Sequence, residues 1–140
     1  METYEQGGFA YHATPPTMAL QGVRDAMLET EHFGFAQSAA EAQALGSEVR
    51  SLFARRGYPS VAAEGFGAPG VVVSYTTRAD IQSGEAFAKL GMQVAAGVPL
   101  QCDEGEGYRS FRIGLFGLDK LGDRARTVDL LEKALAAIAG

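Results

Sequence analysis

Arg112 is the only charge in the run Ser110-Phe111-Arg112-Ile113-Gly114-Leu115-Phe116-Gly117. Phe111, Ile113, Leu115 and Phe116 require an apolar environment, and strand alternation sends neighbouring side chains to opposite faces. A guanidinium is permanently charged and costly to bury alone. Arg112 therefore pairs either with a carboxylate of its own fold or with one supplied by a ligand at a cleft. Asp103, Glu104 and Glu106 lie close by in sequence as internal partners. The planar fork suits bidentate binding of a carboxylate. Gly114 and Gly117 leave room for a backbone or a ligand to approach.

A second group is Tyr11-His12-Ala13-Thr14-Pro15-Pro16-Thr17. It sets a phenol, an imidazole and two hydroxyls just before the start of a helix. Hydroxyls beside the free N–H groups of a helix N-terminus suit a phosphate. The plainer reading is that Thr17 caps the helix and Tyr11 packs. His32 falls at a helix end, where a cation meets the dipole favourably, and His12 with His32 does not make a metal-ligand spacing. Cys102 has no base near it in sequence, and its neighbours Asp103 and Glu104 disfavour a thiolate, so it is not read as a nucleophile. The acids of that stretch read as a solvated loop. No Gly-x-Ser-x-Gly elbow, phosphate loop or dinucleotide fingerprint occurs.

The elements that must position these residues follow from periodicity. Residues 1–16 read as an arm or linker, flexible at Gly7-Gly8 and extended before Pro15-Pro16. A helix begins near Thr17, carries Leu20, Val23 and Met27 on one side, and ends at Phe33-Gly34. A second helix covers residues 36–56, with Ala42, Leu45, Val49 and Leu52 as its apolar stripe. A short strand at 60–64 and a firm β-branched one at 70–75 follow. Asp80 caps a third helix reaching Leu90, and another short strand covers 92–95. Residues 97–107 are irregular and lead into the Arg112 strand. A last helix starts between Asp119 and Asp123, with Val128, Leu131, Leu135 and Ile138 on one face. The expected fold class is α/β of the α+β kind. It is a small antiparallel or mixed sheet of three or four strands with helices packed on one face.

The totals narrow the partners. The chain has 140 residues, enough for one core without disulfide staples. A net charge of −5 and the lack of any Lys/Arg block argue against nucleic acid. No apolar stretch is long enough to span a membrane. The first residues are polar and acidic, unlike a secretory signal, and a lone Cys102 permits no internal disulfide. A cytoplasmic setting is therefore expected.

Taken together, Tyr11-His12-Ala13-Thr14-Pro15-Pro16 and Phe111-Arg112-Ile113-Gly114-Leu115-Phe116-Gly117 resemble two motifs of the class V pyridoxal-phosphate-dependent aminotransferases. This family includes the alanine–glyoxylate and serine–pyruvate aminotransferases. The first is similar to the family's Tyr-His-Thr-Thr-Pro segment before a long helix, and the second to its Arg-Ile-Gly strand. Their order, their separation and the closing amphipathic helix extend the likeness from Phe9 to Gly140. The resemblance implies the C-terminal small domain of a fold-type I enzyme, over residues 17–140, that moves an amino group from a small amino acid to a 2-oxo acid such as glyoxylate or pyruvate. It implies that Arg112 holds the substrate carboxylate. It also implies that Tyr11 and Thr14 bind the phosphate of pyridoxal 5'-phosphate in a neighbouring subunit of a homodimer.

The stretch Ala95-Ala96-Gly97-Val98-Pro99-Leu100 and the acidic loop after it depart from the family's glycine-rich pattern. The family's Schiff-base lysine and its pyridinium-pairing aspartate belong to a large domain that this chain does not contain. Lys89, Lys120 and Lys133 do not sit in that lysine's context. The chain alone is therefore expected to be inactive, with no catalytic residue and no metal of its own. The alternative is a free-standing binding or dimerisation module that keeps the small-domain fold.

Overall fold

The computed structural model describes residues 2–9 and 15–139. Two compact units divide the chain, Met1–Phe33 and Gly34–Gly140.

The first unit holds α1 (Glu2–Glu5) and α2 (Thr17–Phe33). α1 is a single turn inside the stretch read as an arm, closed by Gln6 N–H donating to the Glu2 carbonyl at 3.1 Å. α2 starts where expected, with Thr17 as its first helical residue; the Leu20 N–H donates to the Pro16 carbonyl at 3.0 Å. Its Ala, Leu, Met, Gln and Glu content favours the helix. It buries none of its residues: Leu20, Val23 and Met27 are 57%, 58% and 62% exposed.

The second unit begins with α3 (Phe35–Arg55), whose stripe Leu45, Val49, Leu52 and Phe53 is wholly buried. β1 (Val71–Tyr75) follows, then α4 (Ala79–Gln82), α5 (Glu85–Ala88), β2 (Ala95–Ala96), β3 (Ser110–Gly114), α6 (Leu118–Leu121) and α7 (Arg124–Ala139). The three strands form one antiparallel sheet in the order β1-β3-β2. The fold is α+β, with the small sheet expected from the pattern.

Register decides which face each residue serves. Val72 pairs with Ile113 and Ser74 with Phe111, and all four are buried. Against this inner face, Phe111 meets the rings of Phe53, Tyr58 and Phe87 at centroid distances of 5.5, 5.6 and 5.8 Å. Leu131, Ala134 and Leu135 of α7 complete the core. Each wholly buried Phe or Leu contributes about 1.5–3 kcal/mol. An exposed ion pair such as Lys133–Asp129 or Lys89–Glu85 contributes about 0–1 kcal/mol, so apolar packing holds the unit together. The partly buried Arg124–Glu41 pair, at 2.7 Å, ties α7 to α3.

Several elements differ from the pattern reading. Residues 60–64 make one bridge, Ser60 to Ser74, in place of a strand, because the chain bends at Val61-Ala62, where the Ala62 N–H donates to the Ser60 hydroxyl at 3.2 Å. The helix expected from Asp80 to Leu90 is two short turns, broken by Gly84 at φ 83°. Asp80 lies inside the first turn, with Arg78 before it; its carboxylate takes the Arg78 guanidinium at 3.0 and 2.6 Å. The short strand near 92–95 is shifted to Ala95–Ala96, where it can reach β3. The last helix is preceded by the turn α6, and Asp123 caps α7 by accepting the Arg126 N–H at 3.0 Å.

Candidate functional site

The other face of the sheet carries Val73, Arg112 and Ala95 in one row across the three strands. Val73 and Arg112 are half-buried and Ala95 is exposed. Arg112 Nε donates to the Ala96 carbonyl at 3.0 Å. No Asp or Glu among the described residues pairs with it. The bond at Nε fixes the plane of the guanidinium and leaves its two terminal nitrogens to fork an incoming oxyanion. At one end of this face the Phe116 ring, 67% exposed, lies over Gly114 and Gly70. A Cβ on Gly70 would come within 2.6 Å of that ring. At the other end Tyr75 and Tyr108 meet edge to face at 5.8 Å.

Gly97 sets the approach of β2. A Cβ there would lie 1.8 Å from the Ser110 carbonyl oxygen, so only glycine lets this backbone press against β3. That contact holds the neighbouring Ala96 carbonyl where Arg112 can use it.

Arg50 is likewise held by backbone carbonyls of its own fold, with no Asp or Glu among the described residues paired with it. It donates to the carbonyls of Ala68 and Val71, the latter at 3.0 Å, and burial lowers the pKa of its guanidinium. Its Nε is buried without a partner. Arg50 pins the loop before β1.

Tyr11, His12 and Thr14, the phosphate-binding group read from the sequence, lie outside the described residues. His32 is exposed in the last turn of α2. Lys89, Lys120 and Lys133 each form a surface ion pair, with Glu85, Asp119 and Asp129 at 2.8, 3.3 and 2.7 Å. The Glu85 hydrogen bond raises the Lys89 pKa, which keeps that amine protonated and unsuited to nucleophilic attack. Among the described residues, no group of three or more His, Cys, Asp or Glu gathers to hold a metal ion. No helix among them is long and apolar enough to cross a membrane.

A cleft of about 980 Å³, absent from the pattern reading, opens at the C-terminal end of β1. Arg56, Tyr58, Tyr75, Arg78, Tyr108 and Arg109 contribute to its walls, together with Cys102 and Glu104. The Arg56-Gly57-Tyr58 and Tyr108-Arg109 stretches are its trace in the sequence, but they lie far apart along the chain and only the fold joins them.

Glu104 turns its carboxylate into its own loop. It accepts from the backbone N–H groups of Gln101 and Cys102 at 2.9 and 2.8 Å, and from that of Leu100. Backbone N–H donation, first its own and then that of Cys102, holds its carboxyl below the usual carboxylate range. The acidic loop is therefore folded around one of its acids rather than being uniformly solvated. No family model matches the chain, and no curated protein matches it.

Proposed function

We propose that this chain is the small domain of a pyridoxal-phosphate-dependent aminotransferase of class V, acting on a small amino acid and a 2-oxo acid such as glyoxylate or pyruvate. One observation carries the reading: Arg112 is half-buried on the open sheet face, oriented through Nε by Ala96, and free of any internal acid among the described residues. A cation held this way lacks a counter-charge, and a small carboxylate supplies it. Val73 and Ala95 flank the position across the sheet with apolar groups, which favours a small, uncharged substrate body.

In this reading Arg112 binds and orients the substrate carboxylate. Tyr11 and Thr14 hold the cofactor phosphate of a partner subunit in a homodimer. The cofactor, when bound, supplies the electron sink for the amino transfer. The Schiff-base lysine belongs to a large domain, since Lys89, Lys120 and Lys133 are all engaged on helix surfaces. The exposed apolar side chains of α2 support a covering domain or subunit. They equally favour the second reading, a non-catalytic dimerisation module. A cytoplasmic setting accords with the unpaired Cys102.

The test is a titration of the chain with pyruvate, glyoxylate and alanine, followed at the Arg112 Nε–H resonance, with pyruvamide as the uncharged control. Under this reading the carboxylates move that resonance and pyruvamide does not. An Arg112 signal indifferent to all four removes the substrate role. Sedimentation then decides for the module: a dimer that ignores carboxylates favours it over the enzyme.

A further inference from the structure

We propose that the cleft walled by Arg56, Tyr58, Tyr75, Tyr108 and Arg109 binds a small organic monoanion with a flat apolar body, an aryl carboxylate being the simplest member of the class. This goes beyond the role given to Arg112, which does not line this cleft.

Size and surface come first. About 980 Å³ is ample for a ring-bearing ligand. Tyr75 and Tyr108, both in the lining, stand edge to face with each other at 84°. Pro59 and Leu100 add apolar wall. A flat hydrocarbon body fits such a lining.

Charge gives the rest. The chain carries a net −5, yet this lining holds three arginines and a single acid, Glu104. That acid is committed to the backbone of its own loop and does not reach an arginine. Arg78 has its charge paired, with Asp80 through Nε and one terminal nitrogen, and donates to the Ile138 carbonyl through the other at 2.7 Å. Arg56 gives one nitrogen to Glu132 at 2.9 Å. Arg109 has no acid or acceptor for its side chain among the described residues. One unengaged guanidinium, backed by a half-engaged one, matches a carboxylate fork to fork. A phosphate dianion calls for more uncommitted positive charge than this.

The experiment uses the whole chain and three probes: benzoate, phenyl phosphate and benzyl alcohol. The readouts are the ring resonances of Tyr75 and Tyr108 and the alkylation rate of the exposed Cys102 thiol in the cleft wall. Benzoate is expected to shift both rings and slow alkylation, with benzyl alcohol at least about tenfold weaker, the scale of one charge-assisted hydrogen bond. Arg109→Ala is expected to weaken benzoate by about tenfold or more and Arg109→Lys by less, because lysine keeps the charge and loses the fork. Arg126→Ala, outside the cleft, leaves binding unchanged. The far-ultraviolet spectrum of Arg109→Ala establishes that the variant is folded. Equal binding of benzoate and benzyl alcohol, or unchanged benzoate binding in Arg109→Ala, overturns the proposal. Tighter binding of phenyl phosphate overturns the assignment to a carboxylate. The Arg112 Nε–H signal is read separately, so failure here leaves the aminotransferase reading standing.

Discussion

Arg112 and Ala96 meet across β3 and β2 through a single hydrogen bond, guanidinium Nε to backbone carbonyl at 3.0 Å. A carbonyl offers orientation without a full counter-charge. The arginine is thereby aimed and still electrostatically unsatisfied, a state in which an incoming carboxylate gains both a fork and an ion pair.

Under the proposed aminotransferase reading, Arg112→Ala in the complete enzyme is expected to lower kcat/KM for the amino donor by roughly 2–5 kcal/mol, the scale for removing one partner of a buried charge pair. Arg112→Lys should recover only part of this, since an ammonium cannot fork. Steady-state kinetics with alanine and pyruvate provides the measurement. Unchanged constants in Arg112→Ala would falsify the substrate role.

Gly97→Ala is expected to cost toward the upper end of about 1–3 kcal/mol of stability. Its Cβ would overlap the Ser110 carbonyl, a backbone group that no rotamer change can move aside. β2 must then lift from β3, and the Ala96 carbonyl moves away from Arg112. Thermal unfolding and the Arg112 Nε–H shift should both respond. Gly105→Ala, with nothing within 4 Å of its Cβ, is the neutral comparison. Identical unfolding of the two variants would contradict the close approach.

Phe111→Ala should destabilise by about 3–5 kcal/mol, because the ring is wholly buried and packs against Phe53, Tyr58 and Phe87. Denaturant unfolding measures this. A loss below about 1 kcal/mol, the range of a surface change, would mean that the inner sheet face is not the core.

Glu104 gives the 100–104 loop a pH dependence of defined sign. Its folded pKa lies below the ordinary 4.5, so its contribution to loop order is fully present above 4.5 and is lost as pH falls through the lowered folded value. The amide resonances of Leu100, Gln101 and Cys102 should titrate together in that acid window, and Glu104→Gln should abolish the transition. A common midpoint above 4.5 would refute the arrangement.

Local signals in the sequence were enough for α2, α3, β1 and α7. The spacing of Leu45, Val49 and Leu52 sets a helical face, and Val71-Val72-Val73 sets a strand. Both depend on near neighbours in the chain. The helix expected after Asp80 failed at Gly84, whose positive φ follows from where the backbone must turn and not from any break in apolar spacing. Residues 60–64 depart from the strand their pattern predicts for a related reason: strand pairing needs a partner of matching length, and the chain leaves β1 after one bridge.

Arg112 was legible as an arginine that needs a partner, because a lone charge among apolar residues has few places to go. Whether that partner was internal could not be read from the chain, since Asp103, Glu104 and Glu106 were all near in sequence. Folding decided it by turning Glu104 onto the N–H groups of its own loop and by offering Arg112 the Ala96 carbonyl. The sequence by itself determined the residue types, the periodicities and so the α+β class. Tertiary structure alone decided which face Arg112 occupies, what it touches, and that Arg56, Tyr75 and Arg109 share one cleft. The physical reason is distance: periodicity is a property of residues a few positions apart, whereas the Arg112–Ala96 contact and the cleft join groups more than a dozen positions apart, through a register that only the assembled sheet fixes.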